Sequence, residues 1–152
     1  NLPLVYNCGG YENPETVRLL EGIFDIFMPD IKYSDERISR LYSNVPDYFA
    51  RCREAVREMH RQVGDLKLDS RGIAEKGLLI RHLVLPNDLA GSEEILRFLA
   101  EEISPHTYVN VMRQYRPVFK ASEFPELNRR PSGVEFQKVF EKARELGLHR
   151  GF

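Results

Sequence analysis

The sequence predicts an α/β domain of parallel βα units, on three observations. Short apolar runs, each closed by Gly, Pro or a polar turn, alternate with stretches of helical periodicity. The order reads β-α-β-α-α-β-α-β-α, which implies parallel strands joined by helical crossovers. The chain has 152 residues and is 42% hydrophobic, which makes one domain, residues 1–152, with a substantial core. Four strands fall short of the roughly eight of a closed α/β barrel, so the chain reads as part of a barrel or as a small open sheet.

Each element has a local reason. Residues 2–6 are apolar and run into Asn7-Cys8-Gly9-Gly10, a buried strand ending in a glycine turn. Asn13-Pro14-Glu15 supplies an N-cap, a proline in the first turn and an acidic start for a helix to about Leu20. Residues 23–28 form the next strand, which Pro29 breaks, and Asp30-Ile31-Lys32 continues extended. Ser34 caps a short helix containing Ile38 and Leu41, and Pro46 separates it from a longer one. Phe49, Cys52, Val56, Met59 and Val63 fall on one stripe of that longer helix. A polar stretch around residues 64–72 is a surface hairpin or loop. Residues 77–85 make a third strand ending at Pro86. Ser92 caps a helix carrying Ile95, Leu96, Leu99 and Ile103, and Tyr108–Met112 is the fourth strand. Residues 113–130, rich in Arg and Pro, read as a long loop. Ser132 and Glu135 form the capping box of a last helix whose apolar face is Val139, Phe140, Ala143 and Leu146.

Composition narrows the function classes. Twenty-two basic against 23 acidic residues give a net charge of −1, which argues against a nucleic-acid footprint. No apolar run approaches the ~20 residues of a membrane span, and no export signal is visible, so a cytoplasmic location is expected. Two cysteines are too few for a disulfide framework or a four-thiolate metal site, and no His-x-x-x-His or Cys-x-x-Cys pair occurs. No metal site is expected within this chain. The opening on an apolar run reads as a fragment of a longer protein.

In parallel α/β folds ligands sit beyond the carboxyl ends of the strands. The candidates there are the Asn7–Gly10 turn, Asp30 and Lys32, Pro86-Asn87, and Gln114, Tyr115 and Arg116. Asp30 and Lys32 are two apart and share a face, where they bind a zwitterion or close a strand-end ion pair. Gly9-Gly10 lets backbone approach a ligand or simply makes a tight turn. Arg81 and His82 point to opposite faces of an apolar strand, and each is either a ligand contact or a structurally paired group. Cys52 reads as packing, Cys8 as better placed for function, His60 as a helix-surface residue, His106 as part of a loop after Pro105, and His149 lies near the C-terminus. Arg113, Arg116, Arg129 and Arg130 flank the long loop, as a solvated surface or as a receiver of an anion or a partner protein.

Four motifs carry a resemblance that covers most of the chain. They are Asn7-Cys8-Gly9-Gly10-Tyr11-Glu12, Met28-Pro29-Asp30-Ile31-Lys32, Arg81-His82-Leu83-Val84-Leu85-Pro86 and Gln114-Tyr115-Arg116-Pro117. In this order, each at a strand end, they resemble the C-terminal half of radical S-adenosylmethionine proteins. The nearest likeness is the branch related to pyruvate formate-lyase activating enzymes. The resemblance implies a (β/α)6 partial TIM-like barrel whose first βα units lie upstream, with a 4Fe–4S cluster and S-adenosylmethionine as cofactors of the full-length parent. Reductive cleavage there yields methionine and a 5′-deoxyadenosyl radical that abstracts hydrogen. Asn7, Met28, Asp30, Lys32, Arg81 and Val84 (through its backbone) would surround S-adenosylmethionine. Gln114 and Arg116 would face the substrate.

The chain departs from the family pattern. It lacks the Cys-x-x-x-Cys-x-x-Cys loop and the Gly-Gly-Glu-Pro strand, so alone it is expected to hold no cluster and to be inactive. Gln114-Tyr115-Arg116 replaces Pro-Tyr-His, which points away from pyruvate formate-lyase as substrate. The partner implied is a glycyl-radical enzyme or another substrate, with neither nucleic acid nor membrane, and an exposed sheet edge is expected to let the fragment dimerise. The competing reading is a non-catalytic α/β module that binds an anionic ligand or a partner protein through the glycine turn and the Arg loop.

Overall fold

A computed structural model of the chain describes residues 2–151, so residues 1 and 152 of the expected domain lie outside the described residues. The fold is α/β with a mostly parallel sheet of five strands. Strand β1 (Val5–Cys8) is followed by α1 (Pro14–Leu19) and β2 (Ile26–Ile31). Then come α2 (Glu36–Ser43), α3 (Tyr48–Val63), β3 (Lys67–Leu68) and β4 (Ala74–Leu83). The chain ends with α4 (Ser92–Phe98), β5 (Tyr108–Met112) and α5 (Gly133–Glu145). Strands β1, β2, β4 and β5 pair in parallel, in that order, and β3 pairs antiparallel with the first residues of β4.

The alternation of helix and strand, the stripe of α3 and the bounds of β5 follow the sequence pattern. Several boundaries do not. The first two strands start three residues later than the apolar runs suggest, and Pro29 sits inside β2 instead of ending it. Proline has no N–H to donate. Pairing from β2 to β4 runs through Ile26, Phe27, Asp30 and Ile31 and passes over Met28 and Pro29. The polar stretch before the third expected strand closes a hairpin. Asp69 accepts from the amides of Arg71 and Ile73, and β4 therefore begins at Ala74.

Two caps are displaced by one residue. Asp35, not Ser34, caps α2, because the Ser34 hydroxyl donates to the Gly91 carbonyl. Gly91 precedes α4 in a left-handed conformation, and the Ser92 hydroxyl is engaged by His82 instead. The Gly91 position admits no side chain, since an added Cβ would lie 1.9 Å from the Ser34 hydroxyl oxygen.

Strand alternation divides the sheet into two unlike faces. Phe27, Ile31, Leu78, Ile80 and Val109 face one way and pack on Val17 of α1, on the α3 stripe, on Ile95, Leu96 and Phe98 of α4, and on Val139 and Ala143 of α5. Burial of each Val, Leu, Ile, Phe or Met side chain among these contributes about 1.5–3 kcal/mol. The in-register partners on the other face are Val5, Asn7, Ile26, Met28, Asp30, Gly77, Leu79, Arg81, Leu83, Tyr108, Asn110 and Met112, of which Ile26 is buried at the β2 start. None of these belongs to the main core cluster, and Val5, Asn7 and Asn110 are exposed. Helices thus cover one face of a parallel sheet that ordinarily has both faces covered.

Candidate functional site

The polar residues of the uncovered face meet at the carboxyl ends of the strands. Residues Asp30 and Arg81 are direct neighbours across the β2–β4 ladder, so register alone brings them together. The Arg81 guanidinium donates to Asp30 Oδ1 through Nε at 2.7 Å, and its Nη2 lies 2.6 Å from the same oxygen. Nη2 also donates to Asn7 Oδ1 at 3.0 Å, which joins β1 to the pair. Lys32 Nζ stands 3.8 Å from Asp30 Oδ2. Asn7, Asp30, Lys32 and Arg81 therefore form one charged network across three strands. Carboxylate, guanidinium, ammonium and amide at one strand end can receive a ligand bearing both charges or several hydroxyls.

The backbone beneath this network is fixed by Tyr48, in the first turn of α3, which the sequence reading did not single out. Its buried hydroxyl accepts from the Lys32 amide at 3.0 Å and lies 2.9 Å from the Gly9 carbonyl and 3.2 Å from the Asp30 carbonyl. Burial raises its pKa, so the phenol stays protonated and keeps its donor. Tyr11 stacks on the Tyr48 ring, with the ring planes 12° apart. An aromatic residue on the stripe of an amphipathic helix reads as core, and only the fold reveals where its hydroxyl goes.

The glycine turn serves two purposes. At Gly10, φ is +79° and an added Cβ would lie 2.1 Å from the Asp30 carbonyl oxygen, so this glycine lets β1 and β2 ends pack. At Gly9 an added Cβ would meet only Lys32 Nζ, at 4.0 Å, so this residue leaves backbone beside the ammonium.

Of the other sequence candidates, Met28 lies on the uncovered face, in register with Asn7. Val84 is apart from the network: it is buried, and its amide donates to the Met112 carbonyl. Gln114 and Arg116 line a cleft of about 390 Å³ with Asp30, Lys32 and Arg81, walled by Leu83, Met112, Tyr115 and Val118. His82 points to the helix side and is structural, held between the Ile31 carbonyl and Ser92.

A second cavity, of about 480 Å³, lies away from this network between the Pro86–Asp88 turn, α4 and α5. Its Glu135 carboxylate is already matched by Arg129, Ser132 and the Asn87 amide, and Arg129 holds its carboxyl well below the usual range.

Neither cysteine is a ready metal ligand. Burial pushes the Cys8 thiol up to about 11 and the Cys52 thiol up to about 12. Among the described residues, no group of three or more His, Cys, Asp or Glu could hold a metal ion. No helix of the described residues is long and apolar enough to cross a membrane.

No family model matches the chain. The chain is 33% identical over 149 residues to MJ0674, an uncharacterized protein of Methanocaldococcus jannaschii. The match takes in 97% of this chain and 40% of that protein, so the chain spans about two fifths of the length of this curated relative.

Proposed function

We propose that the chain is the C-terminal part of a radical S-adenosylmethionine enzyme resembling the pyruvate formate-lyase activating enzymes. The observation that carries this reading is the Asn7–Arg81–Asp30–Lys32 network, placed at the carboxyl ends of parallel strands on the face that no helix covers. In a partial (β/α)6 barrel that face would be the interior, and further βα units would complete it. The longer relative is consistent with such units, since it has room for them.

The residues present suit one cofactor and not the other. S-adenosylmethionine carries an ammonium, a carboxylate and a ribose, and the paired acid and bases of the network match those groups. Asp30 would accept from hydroxyl or ammonium groups, while Lys32 and Asn7 would meet a carboxylate or hydroxyl. Arg81 would hold the Asp30 carboxylate in orientation, and Met28 would line the floor. When bound and reduced, that cofactor supplies a carbon-centred radical for hydrogen abstraction. An iron–sulfur cluster does not fit here, because the two cysteines, Cys8 half-buried and Cys52 buried, are too few, and among the described residues no group of three or more His, Cys, Asp or Glu could hold a metal ion. Its cysteines would come from a segment outside this chain. Gln114 and Arg116 would face the substrate, whether a glycyl-radical enzyme or another molecule, and the parent would be cytoplasmic.

The test is the iron and acid-labile sulfide content of the full-length parent, purified without oxygen. About four irons per chain, with a visible charge-transfer band, is the expected result. A colourless, iron-free parent overturns the proposal. The network would then belong to a non-catalytic binding module, a reading favoured by the cationic lining of the adjacent cleft.

A further inference from the structure

The cleft beside the network has an electrostatic bias that the network does not use. Its walls carry three cationic side chains, Lys32, Arg81 and Arg116, and one carboxylate, Asp30. Arg81 is spent on Asp30, with two nitrogens on one oxygen. Lys32 reaches Asp30 only at 3.8 Å. Arg116 makes no ion pair or hydrogen bond among the described residues. Two cations therefore face the cleft with little compensation. Gln114 lines the cleft beside them, its amide meeting only the Met112 sulfur at 3.5 Å, so it can also donate.

The remaining walls are apolar. Leu83, Met112 and Val118 line the cleft with the Tyr115 ring, whose hydroxyl is fixed by donating to the Leu127 carbonyl at 2.9 Å. At about 390 Å³ the cleft falls within the roughly 300–1,000 Å³ typical of small-molecule sites. We propose that it takes a compact organic anion, a phosphate or carboxylate on an apolar stem. Arg116 and Gln114 hold the charged group, Lys32 shares its charge between that group and the network, and Leu83, Met112 and Val118 cover the stem. This deepens the radical-enzyme reading and rests on it for the word substrate. The anion would be the molecule presented to the radical site, in place of a loop of a partner protein.

The experiment is a titration of the chain with phenyl phosphate and, separately, benzoate at constant ionic strength. The amide resonances of Lys32, Gln114 and Arg116 report binding. Saturable shifts with at least one of the two anions, and none with phenol at the same concentration, are expected. Arg116→Gln should weaken binding about tenfold, the scale of one charge-assisted hydrogen bond. Arg130→Gln, on the same loop but outside the cleft, should leave it unchanged. If Arg116→Gln loses its dispersed spectrum, Lys32→Gln replaces it with the same expected loss. Absence of saturation, equal binding of phenol, or equal loss in Arg130→Gln overturns the proposal. The readout does not depend on iron. Anion binding by a chain whose parent lacks a cluster removes only the radical reading, and a cluster-bearing parent whose cleft ignores both anions removes only this inference.

Discussion

His82 lies one position from Arg81, and the two show how one strand serves a core and a site at once. Arg81 faces the uncovered side and pairs with Asp30. His82 faces the helices, fully buried, with Nδ1 2.8 Å from the Ile31 carbonyl and Nε2 2.9 Å from the Ser92 hydroxyl. A carbonyl only accepts, so Nδ1 carries the proton and Nε2 accepts from Ser92. Burial lowers the pKa of His82, and the Ile31 carbonyl and the charge of Asp88 only partly oppose that. The folded chain therefore holds His82 neutral, whereas in the unfolded chain it titrates near the ordinary histidine value of 6.5. Below that pH the unfolded state binds more protons, so stability falls as pH drops through 6.5 and is fully present above it. Urea unfolding should show roughly 1 kcal/mol of loss between pH 6.5 and 5.5 that a His82→Gln variant lacks. The carboxyls of Asp35, Glu58 and Glu102 are lowered by arginines and enter only at more acid pH. Equal slopes in the two proteins would show that His82 is protonated in the fold.

Elements are joined by caps that do more than end helices. Ser132 accepts from the Glu135 amide at 3.1 Å, and Glu135 returns to the Ser132 amide at 2.7 Å, which starts α5. The same Glu135 carboxylate also accepts from the Asn87 amide at 2.7 Å and from Arg129. That second set holds the turn after β4, where Asn87 and Asp88 both have positive φ. Ser132→Ala should cost about 1 kcal/mol, the usual value of a cap. Glu135→Ala should cost more than Ser132→Ala, because it also removes the acceptor of the Asn87 amide and one partner of Arg129. Equal losses in chemical unfolding would mean that Glu135 only caps. The capping box was legible because its members are three residues apart. Asn87 was not, because it meets Glu135 across 48 positions of sequence. The same limit explains the strands. The apolar runs located β1 and β2 but misplaced their ends, since the ends are set by pairing, of β1 with β2 and of β2 with β4. Ser34 and Ser92 looked like caps by type, and long-range bonds to Gly91 and His82 claimed their hydroxyls. The site followed suit: Asp30 and Lys32 were visible as a same-face pair, while their tie to Arg81 and Asn7 needed the register.

At the scale of the molecule the unresolved demand is coverage. One sheet edge is closed, because the Val109 amide at β5 donates to the Arg150 carbonyl. Among the described residues the other edge, β1, pairs only with β2. Around it Leu2, Leu4, Val5 and Ile23 are 92%, 56%, 44% and 52% exposed, and the register puts Val5 on the uncovered face. Unpaired edges template pairing with another chain, and exposed apolar surface adds a driving force. The 152-residue chain is therefore expected to self-associate through β1, and its sedimentation coefficient should rise with loading concentration. Val5→Lys puts a charge on the uncovered face at the edge without touching the helix-side core, so it should restore a concentration-independent monomer with unchanged stability. A wild-type chain that stays monomeric across the range would show that the edge is protected without further chain. Association that persists in Val5→Lys would move the contact elsewhere on the surface. If further βα units close the sheet in the longer parent, as the radical-enzyme reading requires, the parent should lose the concentration dependence without any substitution. The same edge thus reports on the architecture independently of any cofactor.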